Sequence, residues 1–299
     1  MPTLLLHLTA IERLAAHPDG LPADWVRALS EDLPYARFGA ALPDLPLCAG
    51  VRGGLGALMR PEADWPLFAR LYHERAPVGL GLKMAELVAS GALVGTEAGL
   101  AILAGYFTHL SLDRRLHPLV DQLVLRHRRR GERAWDARRQ VEWAQTLFFL
   151  REQDGADGVG TARLREKFQV VKSPGIPLRG IGRGIYELVR LASQERVGQA
   201  PTKAELDGWV RGLYVSGLLL SSPLGRVRAL PAFSQLSFQE LYRNDHFDFA
   251  RELDAALEVT RGLLRKLHGY MARGTYTPRT RARFLEEFPE GTLGATAAQ

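Results

Sequence analysis

The stretch Tyr106-Phe107-Thr108-His109-Leu110-Ser111-Leu112-Asp113-Arg114-Arg115-Leu116-His117-Pro118 threads two histidines and an aspartate through an apolar background at intervals of four residues. Such spacing predicts an α-helix. His109 and Asp113 then share one helix face, with their Cβ atoms about 6 Å apart. Leu110, Leu112 and Leu116 predict that the helix is buried, and a buried carboxylate or charged imidazole is costly unless something neutralises it. A metal ion satisfies both groups, and the donor chemistry suits zinc better than calcium. A hydrogen-bonded His–Asp pair in the core is the competing reading. Pro118 lacks an amide hydrogen and disfavours α geometry at His117. The helix is therefore expected to stop or kink there, with another starting near Leu119 and the His117 imidazole turned away from the first pair.

Outward from this stretch, apolar residues recur at helical spacing in both directions. Leu5, Leu8, Ile11, Leu14 and Ala15 fit one face of a first helix, and Trp25, Ala28 and Leu29 fit a second. Pro34, Pro43, Pro46 and several glycines predict that residues 33–59 are mostly loop. Helices are expected again over residues 65–73, 79–90, 97–116, 135–153, 185–194, 203–220, 238–243, 248–272 and 278–288, with residues 172–184 irregular. Strand-like alternation of Val, Ile and Thr is nearly absent. The expected class is all-α: a multi-helix bundle with a buried metal site over residues 1–155, and a C-terminal helical extension over residues 156–299 packed on it.

With 46% hydrophobic and 24% charged residues, the chain of 299 residues can bury a sizeable core, which excludes wholesale disorder. Its net charge of +6 gathers partly in the Arg-rich runs at residues 126–130 and 133–139. Such runs are more often solvated helix faces than binding sites, although they suit anionic partners and a peripheral contact with a membrane surface. Charge without a base-reading motif does not argue for nucleic acid. Cys48 is the single cysteine, so neither an internal disulfide nor a thiolate zinc site is expected. The most apolar stretch, residues 84–106, is interrupted by Glu86 and Glu97 and reads as two buried helices rather than a transmembrane span. With no secretory pattern at the N-terminus, the expected location is cytoplasmic.

Further donors stand along the first half of the chain. His7 faces inward on the first amphipathic helix, Asp44 sits between Pro43 and Pro46, His73 follows Leu67, Phe68 and Leu71, and Glu142 shares a helix with Val141, Leu147 and Phe148. Each alone has a plainer reading: an Asx-turn for Asp44, a satisfied core residue for His73, a salt-bridged surface carboxylate for Glu142.

Together, His7, Asp44, His73, the His109–Asp113 pair, His117 and Glu142 resemble the zinc-dependent phospholipase C family in order and spacing, over roughly residues 1–152. The resemblance implies an all-α bundle holding one to three zinc ions that activate water against a phosphodiester. It implies one zinc site from Asp44, His73, His109 and Asp113, a second that includes His117 and Glu142, and a third ion helped by His7 with Asp113. Two features depart from the family. Arg138 stands four residues before Glu142 where the family has a histidine, and a guanidinium has no lone pair to give a metal. Either that site is lost, another donor such as His127 or Asp121 fills it, or Arg138 replaces the ion's charge. Secreted members also use the mature N-terminal amine for the third ion, whereas this chain opens on Met1. Asp44, in its rigid loop, is the candidate to orient or deprotonate the attacking water, and Arg138 the candidate to stabilise charge on the phosphoryl group. The expected function is hydrolysis of a phospholipid-like or other small phosphodiester. The alternative is a catalytically degenerate scaffold that keeps its metal.

Overall fold

Helical periodicity becomes helix along almost all of the chain that the computed structural model describes, namely residues 2–49, 66–128, 132–154, 161–171, 181–223, 238–244 and 247–290. In chain order these are α1 (Pro2–Ala16), α2 (Ala23–Glu31), α3 (Leu33–Ala41), a 3₁₀ turn (Leu45–Cys48), α4 (Leu67–Arg70) running into a π-turn (Leu71–Arg75), α5 (Pro77–Ala89), α6 (Thr96–His127), α7 (Ala134–Asp154), α8 (Ala162–Lys167), α9 (Arg183–Val197), α10 (Lys203–Leu220), α11 (Phe238–Leu241), α12 (Phe249–Ala272) and α13 (Pro278–Glu287). Strand is confined, among the described residues, to an antiparallel pair of two-residue segments, β1 (Arg243–Asn244) and β2 (Phe247–Asp248). The protein is an all-α multi-helix bundle.

The organising element is α6, against which α1, α2, α3, α5, α7 and α12 all pack. It runs unbroken for 32 residues with Pro118 inside it, so the expected stop at His117 does not occur. Proline in a helix interior costs about 3 kcal/mol. Burying Leu116, Val120, Leu123 and Val124 on the far side of the proline returns about 1.5–3 kcal/mol per large side chain, so tertiary packing outweighs the local preference.

The expectation of a loop from residue 33 also fails, since α3 forms at once. Pro34 falls in the first turn, where its missing amide costs nothing. Two glycines then set how close α3 lies to α6. A Cβ on Gly39 would stand 1.9 Å from the Ile102 carbonyl oxygen, and one on Gly105 would stand 1.9 Å from that of Ala36. Glycine at both positions lets the two backbones touch. Residues 50–59 of the expected loop, and 172–180 of the expected irregular segment, lie outside the described residues.

One hydrophobic cluster extends from Leu4 on α1 to Phe284 on α13. Tyr106 and Phe107 of α6 sit in it, with Phe284 packed on Phe107 and Tyr270. The helices after residue 156 therefore share the core of those before it. No helix among the described residues is long and apolar enough to cross a membrane.

Candidate metal centre

Six of the seven residues expected to ligate metal come together in the interior. His7 arrives on α1, Asp44 on the turn after α3, His73 on the π-turn, and His109, Asp113 and His117 on successive turns of α6. All six are buried. Local chemistry explains how each is aimed. The close α3–α6 approach sets the Ala40 carbonyl 2.8 Å from His109 Nδ1. The π-turn, a widened turn common at functional sites, buries both Tyr72 and His73, and the Ala69 carbonyl lies 2.7 Å from His73 Nδ1.

These two carbonyls fix the tautomers. A carbonyl oxygen only accepts, so each Nδ1 carries the hydrogen and each neutral Nε2 presents a lone pair. Yet His73 Nε2 and His109 Nε2 face one another at 3.4 Å. His73 Nε2 also lies 3.4 Å from Asp44 Oδ1 and 3.7 Å from Asp113 Oδ2, while His109 Nε2 lies 3.1 Å from Asp113 Oδ2. With both imidazoles neutral, four acceptors thus converge around two buried carboxylates whose charges need a counter-charge, which a cation or a proton on His73 can supply.

Asp113 divides the cluster. Its other oxygen, Oδ1, is 3.1 Å from His7 Nε2 and 3.3 Å from His117 Nε2. His117 has therefore not turned away, because the helix that carries it never breaks. His7 stacks on His109, ring centroids 3.8 Å apart. Nδ1 of His7 and Nδ1 of His117 are buried without a hydrogen-bond partner among the described residues. Ligand atoms of Asp44, His73 and His109 lie within 4.8 Å of one another, as do those of His7, His109 and Asp113. Orphaned buried imidazoles and facing lone pairs fit a bound cation, so these His/Asp clusters can hold a metal ion. His109 has one free lone pair and serves one ion at a time.

The electrostatics show what replaces the cation when only protons are at hand. Burial disfavours the His73 imidazolium, but its hydrogen bond to Asp44 and the charges of Asp44 and Asp113 push its pKa up to about 9. Burial works against the Asp44 carboxylate too, yet His73 and His109 hold it below the usual carboxylate range. Asp113, despite the same burial, is kept well below by His117, His109 and His7. For His7, burial and then the neighbouring His109 lower the pKa.

Glu142 and Arg138 stand apart from the six. Glu142 lines a narrow cavity of about 10 Å³, with His7, Asp113, His117, Gln145 and Phe249 among its other walls. That is space for about one water-sized group. Arg138 is buried on α7; its Nε donates to Glu142 Oε1 at 2.9 Å, and its NH1 donates to Asp121 Oδ1 at 2.5 Å. The guanidinium therefore stands as a fixed cation between carboxylates of α6 and α7. Of the alternative donors, Asp121 is engaged by Arg138, and the side chain of His127 lies outside the described residues. Sequence reasoning did not find the Ala40 and Ala69 carbonyls, because backbone acceptors leave no residue-type signal, nor Gln145 and Phe249 on the cavity wall.

Comparison with protein-family models, curated proteins and solved structures finds no match to this chain. The class defined by the fold and the site is therefore an all-α protein with a buried His/Asp cluster able to hold a metal ion.

Proposed function

We infer that the protein is a zinc-dependent hydrolase of phosphodiesters, resembling phospholipase C, with two ions sharing Asp113. The observation that carries the reading is the asymmetry about that carboxylate. On the Oδ2 side, Asp44, His73, His109 and Asp113 offer four protein donors, the number that closes a structural zinc site. On the Oδ1 side, among the described residues, His7 and His117 approach Asp113 beside the small cavity. Three protein donors with one position left for water is the pattern of catalytic zinc. Bound zinc would supply Lewis acidity, lowering the pKa of a water towards about 7 and polarising a phosphoryl oxygen.

The chain's own residues would do the rest. Glu142, and not Asp44, lines the cavity, so Glu142 is the better-placed group to accept a proton from a water held there. Asp44 faces His73 and serves as a ligand. Arg138, engaged by Glu142 and Asp121, holds the Glu142 carboxylate in place. Leu6, Leu116, Val120 and Phe249 give the cavity apolar walls that exclude bulk water. The net charge of +6 favours an anionic substrate such as a phospholipid headgroup or a small phosphodiester. A single cysteine without a disulfide is consistent with a cytoplasmic location.

The test is hydrolysis of bis(p-nitrophenyl) phosphate and of a short-chain phosphatidylcholine by the zinc-loaded protein. The proposal expects turnover that a chelator abolishes, zinc restores and Glu142→Gln reduces by about 10²-fold or more. Zinc-loaded protein that turns over neither ester would support the second reading, a metal-holding scaffold. The burial of all six candidate ligands favours that alternative.

A further inference from the structure

The C-terminal end of the described chain reaches back to the first turn of α5, just after the π-turn that carries His73, and to α6, which carries Asp113. The carboxylate of Glu290 accepts from two first-turn amides of α5 that have no partner within the helix: Gly79 N at 2.6 Å and Val78 N at 3.0 Å. This helix has no side-chain cap of its own, since Ala76 stands at its N-cap. Its first amides would lack partners without Glu290. The fit depends on glycine: a Cβ on Gly79 would come within 2.6 Å of both Glu290 Oε1 and an Arg196 guanidinium nitrogen. One residue back, the Pro289 carbonyl accepts from Arg114 NH2. The Phe288 ring lies 3.9 Å from the guanidinium carbon of the same Arg114, within cation–π range.

Arg114 directly follows Asp113, and α5 begins four residues after His73. Tyr106 of α6 ties the same corner by donating to the Pro77 carbonyl at 2.8 Å. Residues 288–290 therefore bridge the first turn of α5, which follows the π-turn that aims His73, and the turn of α6 next to Asp113. We propose that these residues form a strap which, by seating the Glu290 carboxylate on the first turn of α5, latches the two ligand segments together and sets how slowly metal leaves. The inference rests on the metal-binding reading above and concerns retention, not turnover.

Its test is zinc release from the fully loaded protein into an excess of chelator, followed with a zinc-sensitive dye. Glu290→Ala removes the helix cap and its charge, and should release zinc roughly fivefold faster at unchanged zinc stoichiometry, matching the typical worth of such a cap. Glu290→Gln, which keeps one acceptor oxygen, should fall between. Added acetate should slow release from Glu290→Ala towards the wild-type rate by refilling the amide cradle, and should leave the wild type unchanged. Glu287→Ala on α13, which breaks the exposed pair with Lys266 of α12, should release zinc at the wild-type rate. Equal rates for wild type and Glu290→Ala would overturn the strap. So would faster release that acetate does not slow, which would mark a general loosening of the fold. Wild-type protein that takes up no zinc would refute the metal reading itself, a result distinct from either.

Discussion

At His73 a proton and a metal ion compete for one nitrogen, with opposite consequences for the loaded and metal-free protein. Its Nδ1 is committed to the Ala69 carbonyl, so Nε2 is the atom that either protonates or ligates. Without metal, the carboxylates of Asp44 and Asp113 draw the proton and raise the pKa from 6.5 to about 9. A raised folded-state pKa stabilises the fold fully below 6.5, and this contribution is lost as pH climbs through about 9. Urea melts of metal-free protein should therefore show falling stability between pH 6.5 and 9 from this group. Zinc must displace the same proton, so apparent zinc affinity should rise over the same window, by up to tenfold per pH unit. The two measurements should move in opposite directions, and a flat affinity would exclude His73 as a ligand. The four-residue spacing of His109, Asp113 and His117 made three of the candidate ligands legible in the sequence. His7, Asp44 and His73 were legible only as members of a set, because contacts across 29, 36 or 106 residues leave no local pattern. The division of work between the two Asp113 oxygens is a property of three dimensions alone.

Among the elements, α6 and α3 show where sequence rules lose to packing. Pro118 carries a real local penalty, which flanking buried leucines and valines overcome. Pro118→Ala should return a backbone hydrogen bond and raise stability by about 1–3 kcal/mol, read as a higher Tm with unchanged zinc content. A lower Tm would mean that the proline fits a bend the packing requires. The prolines and glycines around α3 suggested a loop, whereas Pro34 starts the helix and Gly39 brings it against α6. Gly39→Ala places a methyl 1.9 Å from the Ile102 carbonyl oxygen. The helices would have to part, at a cost of roughly 3 kcal/mol in unfolding free energy. Because Ala40 follows, the carbonyl that orients His109 would move as well, and zinc affinity should drop along with Tm. The π-turn has no sequence signature comparable to a cap or a proline, so the aim of His73 could not be read in advance.

Over the whole molecule, the core that runs from Leu4 to Phe284 makes the C-terminal helices part of the same folding unit as the ligand helices. Their positions were legible from periodicity, as α10 at Lys203–Leu220 illustrates. Their function in the bundle was not, since an apolar helix face does not say which partner it meets. Phe284→Ala should cost about 3–5 kcal/mol and lower one cooperative transition; two separate transitions would show independent halves. Cys48 reports the same event, because it is fully buried and burial pushes its thiol pKa up. Alkylation should follow global unfolding, and rapid labelling of native protein would contradict the packing around it. The most direct test of the central claim is zinc per chain by elemental analysis, on wild type, His109→Ala and His117→Ala after zinc loading and removal of free ion. The account predicts two ions in the wild type, one in His117→Ala, and at most one in His109→Ala. Wild-type protein that retains no zinc would contradict it.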